Sequence, residues 1–450
     1  MKQMKVKSSL FNTCTTFGEH TILYNSLSGD IISMTSAERL RQLIQNEISV
    51  DMDNPLDRRL INGGFLVSES EDEAALVSLS NYEKMFNPEL AMTILPTEEC
   101  NFRCKYCYEE FKQGEMGSDV QQSFLKWFQK NVSKYASVQV SWFGGEPLVG
   151  WAALSHLSTQ MLEIAHNRGI PYSSAITTNG YLLTLERFRC LLKYRVSVFQ
   201  ITIDGLERHH DQFRCLKNGD GTFQRIISNL LEIKNNIRSH SFRIVIRTNI
   251  SLNTLPYIDE YVQYMHNLFG GDNRFEFFFR PVGDWGGERV QAIKNSLTSD
   301  LATLYTTLLN SDIVLNYAAY RSLLTSTMCL AGNRNSYILR ADGRICKCTM
   351  LLDDERNTIG YFSSTGEMIL DKFMLAKWVR PETLNEECSL CAVRPACNGR
   401  TCPAKGFILK STGMCGYENY YVEYVLKLLD RANAIERYGD HNRFLGIREA

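Results

Sequence analysis

At 450 residues with a net charge of −1, the chain is long enough for two or three domains, and a balance so near neutral removes the general electrostatic case for a nucleic-acid or anionic-membrane partner. Hydrophobic residues at 44% and charged residues at 22% give an ordered, globular composition that excludes disorder as the default state. Met1 to Leu10 is basic without an apolar run behind it, and no stretch approaches the roughly 18 apolar residues a bilayer requires, so the expected compartment is cytoplasm.

Residues 1–89 read as a module of their own. Glu19–Asn25 and Asp30–Thr35 are strand-like and flank Ser26-Leu27-Ser28-Gly29, a hairpin signal. Thr35 precedes Glu38 by three, a capping-box spacing, ahead of a helical run through Leu40, Leu43 and Ile44. Pro55–Ile61 predicts a second helix with Gly63-Gly64 as its stop and Phe65-Leu66-Val67 as a returning strand. The acidic Glu69–Glu73 marks a solvated boundary before a linking helix. From 90 to 282 strands alternate with helices such as Val120–Val132 and Phe223–Ile233. Six strands are expected: Met92–Pro96, Val138–Phe143, Ser174–Thr178, Val196–Ile203, Phe242–Thr248 and Phe275–Pro281. This is an α/β pattern whose six parallel units close only part of an eight-unit barrel, and the loops leaving the carboxyl ends of the strands should carry the chemistry. Residues 283–328 form a bridge that opens on Gly283-Asp284-Trp285-Gly286-Gly287, and residues 329–450 a cysteine-rich part that closes with a helix over Tyr420–Arg437.

Fourteen cysteines without an export signal favour metal binding over a disulfide framework. Three lie at 100–107 and eight between Cys329 and Cys415, while Cys14, Cys190 and Cys215 stand apart and are expected to be buried small hydrophobes. Cys100, Cys104 and Cys107, spaced C-x3-C-x2-C, follow the first strand of the alternating region directly. Three thiolates so close together can each hold one iron of a cubane cluster and leave the fourth iron without a protein ligand. Zinc is the alternative, although three ligands with no nearby fourth suit a closed tetrahedral site poorly.

This spacing, with the aromatic Tyr106 before the third cysteine, resembles the signature of the radical S-adenosylmethionine superfamily over roughly residues 90–420. The resemblance implies a partial (β/α)6 barrel in which the open iron chelates S-adenosylmethionine and one electron releases a 5′-deoxyadenosyl radical. Trp142-Phe143-Gly144-Gly145-Glu146-Pro147 resembles the family's loop for the methionine amino group, where glycine permits close backbone approach. Thr178 lies in the expected polar turn after the third strand. Thr202-Ile203-Asp204-Gly205 stands where the family has Ser-x-Asp-Gly. Arg214 resembles the arginine that pairs with the cofactor carboxylate, with Arg247 and Asn249 as further candidates.

The later cysteines resemble the SPASM extension of peptide-modifying radical enzymes, which holds two auxiliary four-iron clusters and brings the expected total to three [4Fe-4S] clusters. Carried over, Cys388, Cys391, Cys397 and Cys415 hold one auxiliary cluster, while Cys329, Cys348 and Cys402 hold three irons of the other, with Cys346 as a candidate fourth ligand. The family typically has three residues where Asn398-Gly399-Arg400-Thr401 supplies four. Structural zinc knuckles are the alternative for this region.

Three reactions share this architecture: crosslinking of a ribosomally made peptide through a thioether or carbon–carbon bond, formylglycine formation, and oxidation of a small-molecule alcohol. Sulfatase maturases carry an aspartate where Thr349 stands, which lowers the second, with Asp353 or Asp354 as possible substitutes. Residues 1–89 resemble a winged-helix element that captures a leader peptide by strand addition at a sheet edge; a packing domain without a ligand is the alternative. The expected partners are therefore a precursor peptide and an electron donor such as flavodoxin or ferredoxin. A multi-cluster electron carrier is the non-enzymatic alternative, and an unligated iron argues against it.

Overall fold

Short apolar runs broken by Gly, Asn and Asp turns make the first part of the chain fold as small strands and helices. The computed structural model describes residues 5–45, 48–282, 289, 293–296, 301–324, 329–379, 391–397, 403–404, 419–438 and 444–445. They fall into two compact units, one of Met1–Met85, Tyr317–Cys329 and Arg380–Ala450, the other of Phe86–Asn316 and Leu330–Val379.

The first unit begins with β1 (Val6–Ser8), β2 (Asn12–Phe17), β3 (His20–Asn25), β4 (Ile31–Met34), α1 (Glu38–Ile44), α2 (Pro55–Asn62), β5 (Leu66–Ser68) and α3 (Glu73–Met85). β2, β3 and β4 form an antiparallel meander, and β1 pairs with β5. Leu23, Ile32 and Met34 from the sheet pack against Leu40, Leu43, Leu60 and Phe65. The strand Glu436–Tyr438 adds to β4 in parallel and pairs in turn with Phe444–Leu445. Three expectations shift here. Thr35 does not cap α1: its N–H is spent on Tyr438 O, and Ser36 Oγ accepts from Glu38 N instead. The closing helix runs Asn419–Arg431, because Asn433 takes a left-handed φ of 54° and the N–H groups of Asn433 and Ala434 return to Asp430 and Leu429. Cys14 is exposed, since strand alternation turns Thr15 inward and Cys14 outward, and Cys190 and Cys215 are half-buried.

In the second unit the six expected strands all form, each within two residues of its expected ends: β6 (Leu90–Ile94), β7 (Val138–Trp142), β8 (Tyr172–Thr178), β9 (Val196–Thr202), β10 (Arg243–Ile250) and β11 (Phe275–Pro281). They are parallel and neighbour one another in chain order. The intervening helices are α4 (Ser118–Asn131), α5 (Trp151–Asn167), α6 (Leu185–Lys193), α7 (Glu207–Phe213), α8 (Phe223–Asn236) and α9 (Ile258–Phe269). Alternation such as Phe275, Phe277 and Phe279 inward packs one face of the sheet. Residues that the cysteine pattern groups with 329–450 extend this sheet: β12 (Ser336–Leu339) lies parallel to β6, and β13 (Arg344–Cys346), β14 (Thr358–Phe362) and β15 (Met368–Leu370) follow antiparallel. Such parallel β/α connections leave the functional loops together at the carboxyl edge. Among the described residues no helix is long and apolar enough to cross a membrane.

Candidate functional site

β6 runs into the loop that carries the three cysteines. Cys100 and Cys104 are buried and Cys107 is half-buried. The loop is pinned by backbone bonds from Arg103 N to Cys215 O and Lys105 N to Phe213 O, both 2.9 Å, and the Arg103 guanidinium closes on Cys100 O and Phe102 O at 2.8 and 2.7 Å. Phe102 N points at Cys100 Sγ from 3.3 Å. Burial pushes all three thiols up, Cys107 to about 12, so they surrender their protons only to a cation that binds them. Among the described residues no three His, Cys, Asp or Glu side chains converge on a single ion. A cubane makes a different demand, because each thiolate meets its own iron.

Gly144 and Gly145, after β7, lie against this loop. A Cβ on Gly144, whose φ is +120°, would sit 2.3 Å from Thr97 O, and one on Gly145 would sit 2.5 Å from both Glu98 O and Glu99 O. Glycine is thus required by the approach of two backbones. Glu146 is buried and spends both oxygens internally, Oε1 accepting from Thr178 Oγ1 at 2.7 Å and Leu148 N at 3.0 Å, Oε2 from Asn179 N at 2.7 Å. Burial raises its carboxyl while these bonds pull it back down. It ties the loops after β7 and β8 together. Below them Arg340 forms a buried bidentate pair with Glu98, at 2.8 and 2.6 Å, anchoring the base of the cysteine loop to the end of β12.

Tyr106 joins the remaining loops. Its hydroxyl donates to Asp204 Oδ2 and accepts from Arg214 Nη1 at 2.6 Å and from Asn249 Nδ2 at 3.3 Å. Asp204 Oδ1 accepts from Asn249 N at 2.8 Å, and Arg247 Nε donates to Asn249 Oδ1 at 3.0 Å. Behind this network His210 is fully buried, its Nδ1 accepting from Asp204 N and its Nε2 meeting Thr222 Oγ1, both at 3.1 Å. Burial, and then the positive Arg214, hold its pKa well below the usual range; Asp204 lies on the loop before α7, and Glu207 and Asp211 on α7 itself. The folded chain therefore refuses a proton that the unfolded chain accepts below about pH 6.5. The stability this contributes is present above that pH and lost below it, by up to about 1.4 kcal/mol per pH unit. Thermal melts between about pH 6.5 and 5 should fall more steeply for the native chain than for His210→Asn; parallel falls would contradict this.

A cavity of about 400 Å³ opens where these loops meet. Cys100, Cys104, Cys107, Tyr106, Gly144, Gly145, Glu146, Thr178, Thr202, Arg214 and Arg247 line it, as do Asn249 and Thr349. Asp204 does not; it stands behind Tyr106 and supports it. Glu109, Gln200 and Met350 line the cavity without having been expected. Gln200 was accessible from strand alternation, two residues before Thr202 on β9, whereas no local pattern marks Glu109. Burial, then the nearby Glu98, pushes the Glu109 carboxyl up to about 8. Asp353 pairs with Lys112 and Asp354 with Arg356, and neither lines the cavity.

The later cysteines are distributed over both units. Cys348 is half-buried, its N–H donating to Asn357 Oδ1, and Thr349 follows it into the cavity wall. Cys346 packs among Leu95, Ile338 and Leu352 and is pushed up to about 11 by burial. That is the setting of a core thiol. Cys329 is exposed and Cys391 half-buried, both in the first unit. Cys388, Cys402, Cys415 and the Cys397 side chain lie outside the described residues, as does Gly283–Gly287.

Residues 94–262 match the family model of the Radical SAM superfamily. The chain is 21% identical over 319 residues to the tungsten-containing aldehyde ferredoxin oxidoreductase cofactor-modifying protein of Pyrococcus furiosus, covering 67% of this chain and 87% of that one. It is 24% identical over 246 residues to the radical SAM cyclopropyl synthase TigE of Paramaledivibacter caminithermalis, covering 48% of this chain but only 49% of TigE. In fold it is similar to the solved structure of anSMEcpe with bound AdoMet and Kp18Cys peptide, with a TM-score of 0.56 at 17% identity over 77% of this chain and 100% of that one. By the cysteine loop, the ordered carboxyl-edge motifs and this family match, residues 94–262 form a Radical SAM superfamily domain.

Proposed function

We propose that this chain is a peptide maturase that generates a 5′-deoxyadenosyl radical and abstracts hydrogen from a ribosomally made precursor peptide, forming an intrapeptide thioether or other crosslink. The observation that carries the proposal is the meeting of Cys100, Cys104 and Cys107, a close-packed Gly-Gly turn and Arg214 around one cavity. Bound by Cys100, Cys104 and Cys107, a four-iron cluster would supply the single electron that breaks the sulfur–carbon bond of S-adenosylmethionine.

The chain's own residues bind and orient. Main-chain carbonyls beside Gly144 and Gly145 can accept from an ammonium, and Arg214, steadied by Tyr106, offers a cation to a carboxylate. Thr178 and Thr202 add hydroxyls to the wall, and Arg247 and Asn249 close it. Phe102, Phe111, Phe143, Val282 and Met350 line the cavity with apolar surface that keeps water from a reactive intermediate. For the auxiliary sites we propose Cys388, Cys391, Cys397 and Cys415 for one four-iron cluster. Cys346 is left out because it packs in the core. The leader would add as a strand to the first unit, and a flavodoxin or ferredoxin would supply electrons.

Peptide as substrate is supported by anSMEcpe, whose structure holds AdoMet with a peptide in a similar fold. A second reading, oxidation of a serine or cysteine side chain to an aldehyde, is favoured by Glu109, whose buried Oε2 has no partner among the described residues. Coexpression with short peptides encoded beside the gene, followed by tandem mass spectrometry, separates the two. Loss of two hydrogens with fragments held together is the expected result for a crosslink. A hydrazide-reactive product would replace it with the aldehyde reading, and an unmodified set of peptides would count against the peptide reading altogether.

A further inference from the structure

We infer that His210 is a positioning residue for S-adenosylmethionine, holding the Asp204 and Arg214 loops in register through its two ring nitrogens. The inference rests on the proposal that the cavity binds this cofactor. His210 sits on α7, does not itself line the cavity, and carries no motif role in the sequence, yet it bonds to both the Asp204 and the Arg214 segments behind Tyr106. Thr222 Oγ1 donates its one proton to Arg214 O at 2.6 Å, so toward His210 it can only accept. Nε2 therefore bears the hydrogen, and Nδ1 is the acceptor for Asp204 N. One neutral tautomer satisfies both contacts.

The consequence reaches the cavity from two directions. The bond at Nδ1 fixes the backbone of Asp204, whose carboxylate receives the Tyr106 hydroxyl and Asn249 N. The bond at Nε2 fixes Thr222, and through it the carbonyl of Arg214, whose N–H also returns to His210 O at 2.8 Å. Arg214 Nη1 then meets Tyr106, and its buried Nε has no hydrogen-bond partner among the described residues. Arg214 lines the cavity, so its guanidinium is a cation held beside the space an anionic group would occupy. Without His210, Asp204 and Arg214 can shift independently and the guanidinium is no longer held against Tyr106.

The test uses the full, iron-loaded chain without reductant and the uncleavable S-adenosylhomocysteine as probe, measured by calorimetry. His210→Ala should weaken binding about tenfold or more, the loss of a buried two-bond relay. His210→Asn keeps an acceptor near Nδ1, and His210→Gln a donor near Nε2, so each should recover part of the affinity. Thr222→Val, which does not line the cavity, should also weaken binding with iron content and melting temperature close to native. For S-adenosylmethionine turnover, KM should rise while kcat at saturation stays near native. If His210→Ala loses its fold or iron, Thr222→Val and His210→Asn decide. Native affinity in Thr222→Val and His210→Asn, or equal affinity in all the His210 variants, would overturn the inference. A native chain that fails to bind the probe would instead overturn the cofactor reading of the cavity.

Discussion

Cys104→Ala is expected to leave S-adenosylmethionine cleavage by the reconstituted, reduced protein below detection. Cys104 is the central thiol of the loop, buried beside Arg214 and Asp204. With two thiolates left, an iron–sulfur cluster loses the site that keeps one iron distinct from the rest. Cys346→Ala provides the contrast. That thiol packs among Leu95, Ile338 and Leu352, so its loss should cost about 1 kcal/mol of stability and leave cleavage intact. Cleavage assays on the two variants check the pair. Persistent turnover in Cys104→Ala would remove this loop from the chemistry.

Arg340→Ala should destabilise the second unit by about 3–5 kcal/mol, because it strands the Glu98 carboxylate in the interior. Arg340 is 0% and Glu98 4% exposed, so little solvent screens the loss. Removing both charges tells the interaction from the burial: Arg340→Met with Glu98→Leu should recover most of the stability, since a buried pair replaced by apolar groups of similar volume is often neutral. Urea unfolding of the single and double variants measures this. A double variant as unstable as Arg340→Ala would show that the pair contributes more than compensation for its own burial. Because Glu98 lies two residues before Cys100, Arg340→Ala should also lower iron occupancy.

How much of this is legible in the sequence depends on the range of the interactions involved. The six parallel strands announced themselves because each is a short β-branched and aromatic run bounded by helical periodicity, and their carboxyl ends placed the Cys, Gly-Gly-Glu, Thr and Arg motifs in one ring. Asp204 was legible as part of that ring but not in its role: its carboxylate serves Tyr106, a pairing across 98 residues that no spacing encodes. Arg340 with Glu98 is a pairing across 242 residues. His210 and Glu109 were missed for the same reason, since a buried histidine or carboxylate gains its function from partners on other loops. The extension of the sheet by β12 was also hidden, because a four-residue strand behind a cysteine pattern looks like part of a metal-binding loop. Thr35 shows the local rule failing outright, its backbone being claimed by a strand some 400 residues away.

The most direct measurement is chromatographic detection of 5′-deoxyadenosine after the iron-reconstituted native chain is reduced in the presence of S-adenosylmethionine. The arrangement of Cys100, Cys104 and Cys107 around the cavity predicts 5′-deoxyadenosine and methionine in equal amounts, formed only with reductant. A chain that holds its iron at these cysteines and forms neither product would contradict the assignment.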